Sequence, residues 1–465
     1  MSGNREEERN PSTLDETPHW SEPHPSTRKR RRRRRLSPQA IRERKRQKRR
    51  RNRRSKPEDV IYLEARAEKG KKRKQETQPV RVQFGRGQLK RLVLPKVFSL
   101  LENPEDTIEF LDQLIATSAS NSVRHMNFTG KDCTNIGLDA LVAMSVLVMR
   151  AERQRKKTAP LTVSGTWPSD PSMQIMFRAS GIPHHLGLKE ADLTPEQEKL
   201  IHRCELRSGK AVPLRYAMGR QRNEATQELR KYFDNCLHSV GFSLTREGKM
   251  RLDKLISEVI GNAEEHGGPW HTIGHLQIGE SGERRGICHI ALFNFGNSIY
   301  RSFLDSDASP TIVGDLRSLS DMHTKRGWFR ALAGTWDEET LWTLYALQER
   351  VSRFSGLPNC QTRGNGTCDI VEFFLELGNP GRMCIVSGHA YVLFDGTYNF
   401  NEIEKAGEVL KIITFNKSGT LEEPPDRTYV RRLPKPFPGT MVSIRLTLDE
   451  RYLSELVGST NDQAN

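Results

Sequence analysis

Apolar residues at Leu252, Leu255, Ile256, Val259, Ile260 and Ala263 recur at the three- and four-residue spacing of a single helix face. The same stretch carries Glu258, Asn262 and Glu265 at i, i+4 and i+7. At about 100° per residue these three side chains form one polar stripe beside the apolar one. The pattern predicts an amphipathic helix seated on a core, with a polar row along the core's edge. Asn223 to His238 predicts another amphipathic helix just before it. Beyond the striped helix, Ile273 to Ile278 and Ile287 to Phe293 read as paired strands. The second runs into a turn, Asn294-Phe295-Gly296-Asn297-Ser298-Ile299. Further on, Arg363-Gly364-Asn365-Gly366-Thr367 precedes a helix predicted over Cys368 to Leu377, with Ile370, Val371, Phe374 and Leu375 on its apolar face. Strands are predicted at Met383 to Ser387 and Gly439 to Leu446, and the long segment 299–362 holds a predicted helix from Glu338 to Phe354.

Upstream, strands and helices alternate. Val82 to Leu94 is strand-like and Pro95 ends it; Asn103-Pro104-Glu105 starts a helix with Ile108, Leu111, Leu114 and Ile115 on one face. A strand over Val123 to Phe128 leads through Asp132-Cys133-Thr134 into a long amphipathic helix marked by Ile136, Ala140, Leu141, Met144 and Val148. Leu161 to Ser164 and Met173 to Ala179 continue as strand and helix. This alternation predicts a small α/β layer. Leu193 to Gly219 is mixed and reads as a linker with short helices, and Pro57 to Lys74 is charged and helix-prone.

With 465 residues the chain is long enough for two or three cores, and no apolar run reaches bilayer length. The N-terminus is polar and then polybasic, so no signal peptide is expected. Seven cysteines without a C-x-x-C predict reduced thiols in a cytosol-like compartment and no zinc knuckle. The net charge of +16 is uneven: residues 1–80 hold 27 Lys plus Arg against 12 Asp plus Glu, and the rest hold 47 against 46. Arg28, Lys29, Arg30, Arg31, Arg32, Arg33, Arg34 and Arg35 are consecutive cations, and Arg42 to Arg54 adds ten more around one acid. Such a tail repels itself and predicts disorder. Its natural partner is nucleic acid, bound by counterion release; anionic lipid is less suited because few apolar residues are there to insert. In a eukaryote the same run serves as a nuclear address, and a solvated tail without a dedicated partner is the plain alternative.

An amide oxygen such as that of Asn262 is a hard ligand suited to magnesium, and a neighbouring carboxylate orients or deprotonates water. Glycines ahead of a helix expose N–H groups at the positive end of its dipole, a phosphate cradle, although two glycines alone also make an ordinary turn. The string from Glu258 to Gly267, EVIGNAEEHG, resembles the N-box of the GHKL ATPase superfamily and is most similar to that of the anti-sigma-factor serine kinases. The turn at Asn294 to Ser298 resembles the family's first glycine box, with Asn294 in place of the adenine-reading Asp and Ser298 in place of the second glycine. Gly364-Asn365-Gly366-Thr367 resembles the second glycine box and Gly439-Thr440 the closing strand.

The resemblance implies an α/β protein, an α+β sandwich of the Bergerat ATP-binding type over residues 221–450, with 299–362 as its lid. It implies ATP and Mg2+ as ligands, with Asn262 on the metal and Glu258 as catalytic base. Glu265 and His266 belong to the N-box, and Asn294 would offer its oxygen to the adenine amino group more weakly than a carboxylate does. Gly296, Gly364, Gly366 and Thr367 would let the backbone approach the nucleotide, and Thr440 would support the adenine edge. Lys325 and Arg326 are candidate phosphate contacts or simply solvated cations. An ATPase or a protein serine/threonine kinase acting on a protein partner is implied; the chain shows no phosphoacceptor-histidine helix, which argues against a self-contained histidine kinase.

Asp132-Cys133-Thr134-Asn135-Ile136-Gly137-Leu138 resembles the phosphorylated turn of the STAS domain of anti-sigma-factor antagonists, with Cys133 in the serine's place and Thr134 as the remaining hydroxyl. It also reads as a plain strand-to-helix turn capped by Asp. The expected plan is a disordered tail over 1–80, a STAS-like α/β domain over 81–190, a linker over 191–220, the ATP-binding domain over 221–450 and a C-terminal tail over 451–465. A homodimer is compatible with this plan, and the location expected is cytoplasmic, or nuclear in a eukaryote. The alternatives are a nucleic-acid-associated regulator with a degenerate nucleotide-sensing domain and an adaptor carrying two interaction domains. His266, His271 and His275 match no helical zinc pattern and read as packing or solvent residues.

Overall fold

The computed structural model describes residues 88–463 apart from 157, 167, 186–192, 200, 211–219, 266–267, 279–283, 306–307, 325–335, 350, 352–365 and 406–407. The run Arg28 to Arg35, the stretch Pro57 to Lys74, His266, Gly364, Lys325 and Arg326 therefore lie outside the described residues. In chain order the elements are β1 (Leu89–Val93), β2 (Val97–Phe98), α1 (Pro104–Ala119), β3 (His125–Thr129), β4 (Asn135–Ile136), α2 (Leu138–Arg155), β5 (Thr162–Thr166), α3 (Pro171–Ala179), α4 (Ile182–His185) and α5 (Pro195–Lys199). Next come β6 (Ile201–Gly209), α6 (Arg220–Ser239), α7 (Arg246–Glu265), β7 (Trp270–Ile278), β8 (Arg285–Phe295), α8 (Ile299–Phe303), α9 (Pro310–Thr324) and α10 (Glu338–Tyr345). The chain continues through α11 (Gly366–Leu377), β9 (Gly381–Phe394), β10 (Asn401–Lys405), β11 (Glu408–Ile412), β12 (Val430–Asp449) and α12 (Glu450–Gln463).

The architecture is mixed α/β, with both parallel and antiparallel sheets. β1, β3 and β5 pair in parallel in that order. Parallel neighbours require crossovers, which α1 and α2 supply. β6-β7-β8-β12-β9 form a five-stranded sheet in which every neighbouring pair is antiparallel. Strand alternation sorts the side chains of this sheet onto two buried faces. Leu276, Ile290, Leu292, Ile385, Val442 and Ile444 pack in one cluster with apolar residues of α6, α7 and α11. Ile273, Ala291, Phe293, Cys384, Val386 and Met441 pack in the other, with α1 and α2.

That second cluster runs without a break from Leu92 of β1 to Met441 of β12, so segments 81–190 and 221–450 are layers sharing one core and not the separate domains expected. The cause lies in α2, whose Leu138, Ala140, Leu141, Val142, Ala143, Met144, Val146, Val148 and Met149 are all buried; a helix apolar all round must be covered on all sides. Polar contacts fix the seam. Asp139, 2% exposed, accepts from Leu101 N–H (3.2 Å) and from the Ser443 hydroxyl of β12 (2.8 Å). Burial pushes its carboxyl above the usual range, while these bonds and the one from Ala140 N–H pull it back. Tyr391 O–H donates to Leu101 O at 3.2 Å, and Glu102 holds both Arg382 (2.6 Å) and Arg445 (3.0 Å).

Four further expectations are corrected. The supposed linker 191–220 contains β6, an edge strand whose alternation is hidden by a register shift between Cys204 and Arg207. β8 continues through Phe295, so Asn294 belongs to the strand and not to the turn. The helix expected from Glu338 to Phe354 stops at Tyr345, with Ala346 as its C-cap. The C-terminal tail over 451–465 is helical as far as Gln463, with Leu453 buried against β12's cluster.

Candidate functional site

Topology brings the sequence motifs to one end of one sheet face. α7 ends at Glu265, a few residues before β7 begins at Trp270, and β8 returns to the same level at Asn294. Only Gly378 to Pro380 join α11 to β9, so helix and strand run side by side in opposite senses. The 12 residues of α11 rise about 18 Å and Gly381 to Ser387 about 20 Å, which sets Gly366 at the level of Ser387. At this level the register aligns Gly209, Trp270, Asn294, Thr440 and Ser387 across all five strands. All five lie on the face that α6, α7 and α11 cover, because Trp270 and the neighbours two residues away pack in that cluster.

The row is tied together by side chains. Asn294, 3% exposed, accepts the Thr440 N–H on its Oδ1 at 3.1 Å. Thr440 Oγ1 and Ser387 Oγ are 2.8 Å apart, and Ser387 Oγ also accepts the N–H of Ile299 at 2.7 Å, anchoring the start of α8. β12 reaches this point through two register shifts between Arg432 and Thr440. Gly439 there has φ 152°, and a Cβ would stand 2.1 Å from Asn294 O, so the crossing requires glycine.

The helix end is held by residues that the sequence pattern did not single out. Glu264 is 5% exposed and accepts the Trp270 indole N–H at 3.0 Å. Its other oxygen faces Arg222 Nη1 of α6 at 3.4 Å. Arg222 reaches it by passing Gly261, where a Cβ would stand 2.6 Å from that nitrogen. The polar side chains of this helix thus divide by role. Glu264 turns inward and fixes the helix to β7 and α6, while Glu258 is half-buried and Asn262 is exposed. The signal that would have found Glu264 is its adjacency to the stripe together with an aromatic donor six residues on.

Of the other expected site residues, Gly296 is exposed at the bend after β8 and its N–H donates to Pro438 O at 3.1 Å. Gly366 and Thr367 open α11; Glu265 closes α7; the side chains of Thr367 and Glu265, with His266 and Gly364, lie outside the described residues. The Asn294 oxygen accepts the Thr440 main-chain N–H, which lies directly across the strand pair, on one of its two lone pairs. Ser298, in place of a glycine, caps α8 by accepting Arg301 N–H at 3.3 Å.

His271 and His275 are core residues, as expected. His271 stacks on Phe293 with ring centroids 4.9 Å apart and shares a 2.6 Å bond between Nδ1 and Ser208 Oγ. Burial, and then Arg150 and Arg153, lower its pKa to about 3; burial, and then Arg203, lower that of His275 to about 4. Among the described residues no cluster of three or more His, Cys, Asp or Glu is arranged for a metal. In the turn from Asp132 to Leu138, Cys133 is buried and donates to Asn135 O at 3.3 Å, and burial pushes its thiol up. Thr134 is the exposed hydroxyl, donating to Lys96 O at 3.2 Å.

No protein-family model, curated protein or solved structure matches the chain. No helix among the described residues is long and apolar enough to cross a membrane.

Proposed function

We propose that this chain is a regulatory protein that binds a purine nucleoside triphosphate with magnesium, ATP being the nucleotide its GHKL resemblance implies, and uses occupancy or slow turnover to switch a protein partner. One observation carries the reading. Asn294 and Thr440 pair across their strands at one end of the sheet, α7 closes three residues after Asn262 shortly before β7 begins at that end, and α11 opens on a glycine, which supports reading them as one site. The groups fit the ligand: a solvent-facing amide oxygen, a half-buried carboxylate at Glu258 and a helix N-terminus are the hard oxygen donors and the positive dipole that a magnesium triphosphate asks for. Asn262 would hold the ion, which when bound neutralises phosphate charge, and Glu258 would orient or deprotonate a water or a hydroxyl nucleophile. The segment carrying α8, α9 and α10 would serve as the lid, and because α8 is tied to the row through Ile299, occupancy would have a route to it. Kinase action on a partner serine or threonine is compatible with the closest resemblance. A Bergerat-type sandwich carrying a STAS-like layer is the fold reading that accompanies this function.

Equilibrium binding of labelled ATP, with and without Mg2+, to the wild type and to Asn262→Ala tests the reading. Saturable, magnesium-dependent binding that the substitution weakens at least about tenfold is expected from loss of a metal ligand. Absence of saturable binding for every purine nucleoside triphosphate would end it.

A second reading rests on a separate observation, the 27 Lys plus Arg against 12 Asp plus Glu in residues 1–80. On that reading the basic segment holds nucleic acid and the folded layers serve as a nucleotide sensor for a nucleic-acid-associated regulator.

A further inference from the structure

On the face of the five-stranded sheet turned away from Asn294 and Thr440, the register sets five basic side chains in one row. Arg203 of β6 stands opposite His275 of β7, His275 opposite His289 of β8, His289 opposite Arg445 of β12, and Arg445 opposite Arg382 of β9. Two residues along their strands, Ile273, Ala291 and Cys384 pack in the cluster of α1 and α2, which fixes the side of the sheet on which the row lies. Neighbouring strands are about 4.8 Å apart, so the backbone span from Arg203 to Arg445 is about 14 Å.

Like charges set directly opposite one another on neighbouring strands work against a sheet. Carboxylates answer this row only at its ends. Each oxygen of Glu102 takes one guanidinium, Arg382 at 2.6 Å and Arg445 at 3.0 Å, and Glu198 stands 3.8 Å from Arg203. In the middle, the His275 and His289 rings lie 6.2 Å apart, and no carboxylate among the described residues pairs with either. His275 is 1% exposed, and neither its Nδ1 nor its Nε2 has a hydrogen-bond partner. A buried imidazole with both nitrogens open is rare and calls for a partner. The row around it reaches solvent: His289 is half-buried, and Arg203, Arg445 and Arg382 keep 42%, 37% and 31% of their side chains exposed.

We propose that this row is a second ligand site, for a chain of phosphoryl groups such as a di- or triphosphate laid across β6, β7, β8 and β12. Guanidinium forks match phosphate oxygens two at a time, and the imidazoles between them add N–H donors. A single phosphate fills a fraction of the row; a phosphate chain can meet Arg203, both imidazoles and Arg445 together. Such an anion also supplies the negative charge that the middle of the row lacks. Burial, and then Arg203, lower the pKa of His275 to about 4, and burial, then His275 and Arg445, hold that of His289 below its ordinary range. A bound anion opposes the cationic neighbours, so both rings take up protons more readily when it is present.

The test uses the full chain with 13C-labelled histidine rings, tripolyphosphate as the probe, and no Mg2+, which keeps the metal-dependent reading of the other face out of play. Without the probe, His275 should stay neutral from about pH 8 to about pH 5. In saturating tripolyphosphate the titrations of His275 and His289, assigned through His275→Gln and His289→Gln, should each move up by at least about one pH unit, as an opposite charge at close range requires. Arg203→Gln, at an exposed place on an edge strand, should weaken calorimetric binding at least about fivefold, and Arg203→Lys should keep more of it. The basic segment is present in every protein compared, so these differences report the row. ATP in the same titration separates the sources of the chain: equal potency to tripolyphosphate assigns the phosphates alone, greater potency assigns a nucleotide, and both uphold the site. Histidine signals that titrate alike with and without either probe, or equal affinity in wild type and Arg203→Gln, overturn it, and they leave the Mg2+-dependent reading of the opposite face untouched.

Discussion

Glu264 offers the most direct check on how the end of α7 is held. The carboxylate is 5% exposed, its partner Arg222 13%, and the two stand 3.4 Å apart with the Trp270 indole on the other oxygen at 3.0 Å. Glu264→Ala strands a guanidinium in a nearly dry site, and breaking a buried pair in this way costs about 3–5 kcal/mol. Glu264→Gln keeps an oxygen for Trp270 and loses only the charge, for a cost of about 1–3 kcal/mol. Replacing both partners, as in Arg222→Met with Glu264→Leu, removes the stranded charge and should cost clearly less than Glu264→Ala. Urea unfolding followed by tryptophan fluorescence measures all three, with the slope checked for constancy. A cost for Glu264→Ala below about 1 kcal/mol, the range of a solvated surface pair, would refute the arrangement. So would a double variant as unstable as Glu264→Ala.

Acid should unfold the protein through its buried histidines. His271 and His275 have folded pKa values lowered from 6.5 to about 3 and about 4, so their stability contribution is whole above about pH 6.5 and is lost as pH falls through that window. Each adds a slope of about 1.4 kcal/mol per pH unit, and His275→Leu should remove one such slope; equal pH dependence of wild type and variant between about pH 6.5 and 4 would contradict the burial. Deleting residues 1–80 should abolish retention on nucleic acid, and the affinity of the full chain should fall steeply with salt; retention that survives the deletion would move the binding surface elsewhere.

The main helix was legible because its apolar stripe is local: Leu252, Leu255, Ile256 and Ile260 are each at most 1% exposed, as their spacing predicts. β7, β8 and the closing strand were readable for the same reason, β7 and β8 with ends two or three residues longer than expected and the closing strand beginning nine residues earlier. What the sequence did not disclose depends on distant partners. Glu264 looks like one more acid on a polar stripe until Arg222, 42 residues upstream, is placed beneath Gly261. The bond accepted by the Asn294 oxygen comes from Thr440, 146 residues on. β6 was lost because an edge strand carries charges such as Arg203 and Arg207, the latter paired with Glu228 of α6 across its shifted register. The sharing of a core between the two layers did have a signal, the apolar residues on every side of α2, whose spacing was read as a single face.

The position of β12 has a consequence for how the chain is made. This strand lies between β8 and β9, yet it is translated after both. Until residue 449 has emerged, the middle of the sheet is a gap with two unsatisfied edges, and the apolar side of α2 has no Met441 or Ser443 to meet. Such nascent edges invite mispairing, and closure must wait for contacts spanning more than a hundred residues. Closure of the five-stranded sheet is therefore late, and truncation before β12 would part β9 from β6-β7-β8.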